Sequence, residues 1–241
     1  GPLKDYSAEE ALPFAEMPAL ERYILSRLAA LDIELRAAAE GHAYNRYTAA
    51  IIAFVNADLS AFFFDVRKDS LYCDAPDAGR RRAYRTVIAT MFDALTRWLA
   101  PILVFTAEEA HQYRHAGSVH HETWLAIPAE WRDHSLDARF ERLRELRSLA
   151  TQAIEPMRRA KEVGSSTEVA LTLHLPHADD VALVNGADFA ELAIVAAARA
   201  VQSSGEPRIE ATVSADARCA RCWRHLPDVS PESDLCERCD L

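Results

Sequence analysis

Four of the five cysteines fall in two matched pairs, Cys219-Ala-Arg-Cys222 and Cys236-Glu-Arg-Cys239, with residues 223–235 between them. Each Cys-x-x-Cys turn can present two thiolates to one side, and two such turns at this separation supply the four sulfurs of a tetrahedral ion. The pattern predicts one structural zinc held by Cys219, Cys222, Cys236 and Cys239. Four protein ligands leave no position open for water, so the metal is expected to contribute folding energy and no catalysis. Residues 215–241 are too few and too polar to fold on a core of their own, so they need such a staple. His225, three positions after Cys222, is the one plausible substitute ligand. Disulfides fit this coreless segment poorly, and thiolate pairs of this kind point to a reducing, cytoplasmic compartment.

Other residue types that could do chemistry assemble into nothing catalytic. His111-Gln-Tyr-Arg-His115 sets two histidines one helical turn apart, yet Gln112 stands where a zinc hydrolase needs its glutamate base, so surface histidines are expected. His120 and His121 are adjacent and read as a solvated loop, and Cys73, without a base partner, reads as a half-buried apolar side chain. The few glycines sit at element ends, forming neither a phosphate loop nor a Gly-x-Ser-x-Gly elbow nor a dinucleotide fingerprint. Binding chemistry is better represented. Arg221, Trp223, Arg224 and Arg238 surround the cysteines, where an exposed Trp can stack an unpaired base while guanidinium groups hold phosphate. A Trp223 that caps the small core of the ribbon is the equal alternative.

Composition sets the frame for these motifs. With 241 residues, half of them hydrophobic and 27% charged, the chain is expected to fold as one large domain plus smaller ones. Lys and Arg total 27 against 37 Asp and Glu, a net charge of −10, so any nucleic-acid contact must come from local basic patches. The best apolar stretch, residues 92–105, is interrupted by Arg97 and Pro101, and no membrane contact is expected. The start at Gly1 reads as a trimmed or partial chain.

Helical periodicity dominates the first two thirds. Leu20, Ile24, Leu28, Leu31 and Leu35 predict an amphipathic helix over 19–40, with Pro18 in its first turn and Gly41 as its stop. A second helix is expected over 45–66, a third over 80–100 ending at Pro101, and a short fourth opening on a capping box at Thr106-Ala-Glu-Glu109. After an irregular stretch, residues 136–163 predict a long helix kinked at Pro156. The period then changes: Val169, Leu171, Leu173 and Leu175 alternate as a strand, and Ile209, Ala211 and Val213 do so again, framing a small α+β unit.

Several of these residues together resemble a known family, the C-terminal part of bacterial isoleucyl-tRNA synthetases, over nearly the whole chain. Leu20-Glu-Arg-Tyr-Ile24 is similar to the opening of the family's anticodon-binding helical bundle. Ser60-Ala-Phe-Phe-Phe-Asp-Val-Arg-Lys-Asp-Ser-Leu-Tyr72 resembles its second-helix signature, with Ser70 where an Arg is expected. Arg81-Arg82, Thr86-Val87, Trp98-Leu-Ala-Pro-Ile-Leu103 and Phe105-Thr-Ala-Glu-Glu109 follow in order. Lys161 to Glu168 resembles the junction after the long helix, with Thr167 in place of a Leu, and Arg221-Cys-Trp223 resembles a zinc knuckle shared with some DNA-repair glycosylases.

The resemblance implies a mainly α fold: a class I synthetase anticodon-binding helical bundle at 3–134, a long connecting helix at 135–164, a small α+β junction domain at 165–214 and a zinc-binding segment at 215–241. It implies that the bundle and knuckle grip the anticodon stem and loop of isoleucine tRNA, in a monomer that is continuous with the rest of the synthetase. Lys68, Arg81, Arg82, Arg221 and Trp223 are the candidate tRNA contacts, drawn from the basic clusters Arg67-Lys68, Arg80 to Arg85, Arg158-Arg159-Lys161 and Arg221 to Arg224. The His-Ile-Gly-His and Lys-Met-Ser-Lys-Ser signatures occur nowhere in this sequence. ATP is therefore expected to be used only by the absent catalytic domain, and this piece alone is expected not to aminoacylate. Competing readings are a zinc-ribbon module that binds duplex nucleic acid or protein, against which the long bundle argues, or the equivalent region of another class I synthetase such as the valyl enzyme.

Overall fold

The apolar stripe of Leu20, Ile24, Leu28, Leu31 and Leu35 becomes the buried face of α1 (Ala19–Glu40) in a computed structural model that describes residues 1–240. Pro18 stands at its N-cap, and the Gly41 N–H closes its C-terminus on the Ala37 carbonyl. Next comes α2 (Tyr44–Ala53), which passes without a break through a π-wound stretch, Phe54–Phe64, into α3 (Asp65–Cys73). The expected end at 66 is thus overrun by two turns. Asp65–Cys73 loses the apolar period but contains no Gly or Pro, so nothing in its backbone chemistry stops the helix before Pro76.

This continuous helix, Tyr44–Cys73, is long and apolar enough to cross a bilayer by length and composition. The expectation that residues 92–105 are the best apolar stretch is corrected accordingly. Core helices of bundles pass the same test, and Tyr47, Ile51, Phe54, Leu59, Phe62 and Phe63 are buried here. Phe62 meets Tyr23 of α1 edge to face. Phe63 does the same with Tyr84 of α4 (Gly79–Leu99). The Tyr47 hydroxyl donates to the Trp98 carbonyl at 2.8 Å, and burial pushes its pKa up to about 12.

The short α5 (Val104–Gln112) begins two residues before the expected capping box and has no side-chain cap. Glu108, inside the expected box, accepts from Ser118 Oγ and the Val119 N–H, both at 2.9 Å. The carboxylate is drawn to the following loop because that loop offers two donors at once.

Two compact units result, Gly1–Asp65 with Pro76–His134, and Val66–Ala75 with the chain from Ser135 onward. In the second, α6 (His134–Arg159) buries Phe140, Leu143, Leu146, Ala150 and Ile154 and continues one turn beyond Pro156, whose missing N–H leaves a carbonyl of the preceding turn without its helical donor. A capping box of Ser165 and Glu168 turns the chain into β1 (Val169–Leu175). Two short helices, α7 (Ala178–Asn185) and α8 (Phe189–Ala193), carry it over to β2 (Ala197–Gln202), parallel to β1. With β3 (Arg208–Val213) antiparallel on the other side, the sheet order is β2-β1-β3. Val169, Leu171, Leu173 and Leu175 are all buried, as period-two alternation requires of a one-sided sheet. Two-residue strands β4 (Ala217–Arg218) and β5 (His225–Leu226) pair to frame the terminal segment.

Candidate metal centre and its aromatic surround

The second unit brings Cys219, Cys222, Cys236 and Cys239 together, all buried, with every sulfur within 4.8 Å of the others. Cys222 Sγ lies 3.8 Å from Cys236 Sγ, the sulfur–sulfur separation that a tetrahedron with metal–sulfur bonds of about 2.3 Å requires. All four thiols are unbridged.

Local backbone chemistry builds the cage. Trp223 adopts φ +64 and donates its N–H to the Cys219 carbonyl at 3.0 Å, closing the first knuckle. The Cys239 N–H closes the second on the Cys236 carbonyl at 2.8 Å, and Ala220 N–H to Asp234 O joins the two. Leu226, Val229 and Leu235 pack around the sulfurs. Burial opposes ionisation of Cys219, but the backbone N–H groups of Cys222, Cys236 and Arg221 outweigh it and lower that thiol to about 6. Burial raises Cys222 to about 11 and pushes Cys239 up further. Four thiols so confined cannot all ionise beside one another, whereas a dication removes that conflict. The residues fit a soft, tetrahedral ion. His225 stays out of the set, its Nδ1 lying 2.9 Å from the Asp216 carbonyl oxygen.

A fifth sulfur belongs to the same cluster. Cys73, at the end of α3, is buried among the four thiols, deeper than the half-buried position expected for it. Arginines hold the segment in place. Arg221 donates to the carbonyls of Cys239 at 3.1 Å and Tyr72 at 2.9 Å, Arg238 pairs with buried Asp74 at 3.4 Å, and Arg224 donates to the Val195 carbonyl at 3.2 Å. Asp74 also holds the Arg238 guanidinium in its charged form against the cost of burial.

Trp223 is 65% exposed, with its indole N–H on the Ala220 carbonyl at 3.1 Å, so it does not cap the ribbon core. Of the other candidate contacts, Lys68 is exposed, while Arg81 and Arg82 are half-buried in the first unit. Arg82 points its guanidinium at the Glu10 carbonyl, 3.1 Å away. Arg67 and Arg85, members of the expected basic clusters, are buried in ion pairs with Glu191 at 2.7 Å and Glu10 at 2.9 Å.

His111, expected at the surface, is 2% exposed and stacks on His115, whose Nε2 sits 2.7 Å from Asp93. The i,i+4 spacing was visible in the sequence; the packing of that helix face was not. Tyr72, which closes the motif Ser60 to Tyr72, is 70% exposed beside the cage, a placement that its local sequence does not signal.

Comparison with known proteins places these features. The family described as the anticodon-binding domain of tRNA ligase matches residues 21–173. An isoleucine–tRNA ligase of Zymomonas mobilis is 44% identical over 99% of this chain, one of Agrobacterium fabrum 41% over 92%, and one of Gluconobacter oxydans 41% over 99%. The chain spans only about a quarter of the length of these relatives, 26%, 24% and 26% respectively. Matched over residues 21–173, more than half of its length, the chain belongs to the anticodon-binding domain family of tRNA ligases.

Proposed function

We propose that this chain is the tRNA-binding C-terminal region of a cytoplasmic isoleucine–tRNA ligase, gripping the anticodon stem and loop of isoleucine tRNA. The observation that carries the reading is the 44% identity to an isoleucine–tRNA ligase across 99% of the chain, which also favours isoleucine over valine specificity. Aminoacylation, with its ATP chemistry, belongs to the rest of the ligase, and this piece works as a monomeric specificity module without charging tRNA itself.

Basic side chains neutralise phosphates and set the register of the RNA, while unpaired anticodon bases are read by stacking and hydrogen bonds. Lys68, Arg81 and Arg82 serve as phosphate contacts, and Trp223 stacks a base with Arg221 beside it. The exposure of Trp223 on a hydrogen-bonded frame supports that role. Zinc is the ion that Cys219, Cys222, Cys236 and Cys239 would hold, and when bound it supplies folding energy to a segment without a core of its own.

The test is equilibrium binding of isoleucine tRNA against tRNAs of other specificities, with metal determined on the same sample. Preference for isoleucine tRNA, lost when its anticodon is changed, is the expected result. Equal binding of all tRNAs would overturn the reading.

A further inference from the structure

Tyr72 occupies the penultimate position of α3 with its side chain 70% exposed, while its neighbours on both sides of the helix end are fixed. Cys73 is buried in the sulfur cluster, and buried Asp74 pairs with Arg238 at 3.4 Å. The Tyr72 carbonyl itself accepts from Arg221 Nη2 at 2.9 Å, while Nη1 of the same guanidinium donates to the Cys239 carbonyl at 3.1 Å. One arginine thus bolts the end of α3 to the second cysteine knuckle. A large aromatic ring held out to solvent at a helix end that other side chains already anchor is poorly explained by packing.

The geometry points to Tyr72 as a second stacking platform for an unpaired base of the bound RNA, set on the same frame as Trp223. Its surroundings match the chemistry of single-stranded nucleic-acid sites, in which aromatic faces alternate with cations that follow the backbone. Arg221 brings its charge to the Tyr72 carbonyl, offsetting the partial negative charge of the helix end. Lys68, exposed, stands four residues earlier and hence on the same side of the helix. Half-buried Asp69, three residues before Tyr72, is the acidic neighbour on this side. Two positions beyond Arg221 comes Trp223, itself 65% exposed. Because Arg221 and the buried sulfurs fix the ring's support, little conformational freedom is lost when a base stacks on it. Tyrosine offers its face to any base, so this platform strengthens the grip on an unstacked loop more than it selects sequence.

The inference rests on the reading that this chain binds tRNA, and the experiment separates the two. Tyr72→Ala and Tyr72→Phe in the complete chain are compared with the unaltered protein for equilibrium binding of isoleucine tRNA over a salt series, with melting temperature recorded for each. Stacking on one aromatic is worth enough that Tyr72→Ala should weaken binding about ten- to a hundredfold. Tyr72→Phe, which keeps the ring, should stay within about twofold, and melting should be unchanged for both. The slope of log affinity against log salt should also be unchanged in Tyr72→Ala, since no phosphate contact is removed. Unaltered affinity in Tyr72→Ala, or equal losses in both variants, would overturn the platform while leaving tRNA recognition intact. A flatter salt slope would overturn it too, by assigning the loss to displaced cations. If the unaltered chain binds no tRNA, the functional reading and this inference fall together.

Discussion

Arg67 Nη1 sits 2.7 Å from Glu191 Oε2, and the two side chains are only 5% and 12% exposed. The pair ties α3 to α8, elements of the second unit that are far apart in the sequence. Burial also separates the neighbours Arg67 and Lys68, the first a buried strut and the second exposed. Removing one partner of a buried ion pair strands the other, so Arg67→Ala should destabilise the protein by about 3–5 kcal/mol in urea unfolding. Lys68→Ala should change stability by less than about 0.5 kcal/mol, yet weaken tRNA binding and reduce the salt slope by about one. Equal stability losses in the two variants would contradict this division of roles.

Arg142 grips Asp180 with two hydrogen bonds, 2.9 Å from Nε and 2.6 Å from Nη2, joining α6 to α7. These bonds hold the Asp180 carboxyl below the ordinary carboxylate range, even though burial works the other way. A depressed folded-state pKa gives stability that is present in full above the unfolded value, about 3.9, and lost as pH falls through the folded one. Asp180→Asn should therefore cost about 1 kcal/mol near neutral pH, a figure kept small because Arg142 is partly solvated. That cost should shrink as pH drops below about 4. A stability difference independent of pH would count against the pair.

Cys222→Ser removes one of the four sulfurs. The variant should lose the metal and expose residues 215–240 to protease, while helical circular dichroism stays close to that of the unaltered chain, because the bundle is packed on its own residues. Protein purified without chelator should carry one zinc per chain by elemental analysis. Metal-free protein with an ordered, protease-resistant tail would refute the structural ion.

Trp223→Ala should weaken cognate tRNA binding by about ten- to a hundredfold while retaining the metal, because the exposed indole adds nothing to the sulfur cage. The loss should be smaller for tRNA with a changed anticodon. Normal binding with metal retained would remove the stacking role, and equal losses for both tRNAs would remove base reading.

Much of the architecture is written locally. The stripe from Leu20 to Leu35 yields α1 over the residues expected, the alternation from Val169 to Leu175 yields β1, and two Cys-x-x-Cys turns yield the cage. In each case one segment carries its own period or its own turn chemistry, so neighbours along the chain suffice to read it. Burial of polar and ambiguous residues is decided otherwise. The sequence around Arg67 and Lys68 does not distinguish them, and only the arrival of Glu191 on α8 makes one a strut. His111 is buried because of what packs on its helix face, and Cys73 joins the sulfur cluster because α3 runs past its apolar period to reach it. Tyr72 and Trp223 are exposed for the complementary reason: Arg221 holds the Tyr72 carbonyl, and the Cys219 and Ala220 carbonyls hold the Trp223 backbone N–H and the edge of its indole, which leaves both residues largely in solvent. A charged or aromatic side chain gains or loses solvent through partners distant in sequence, and the tertiary fold alone supplies those partners.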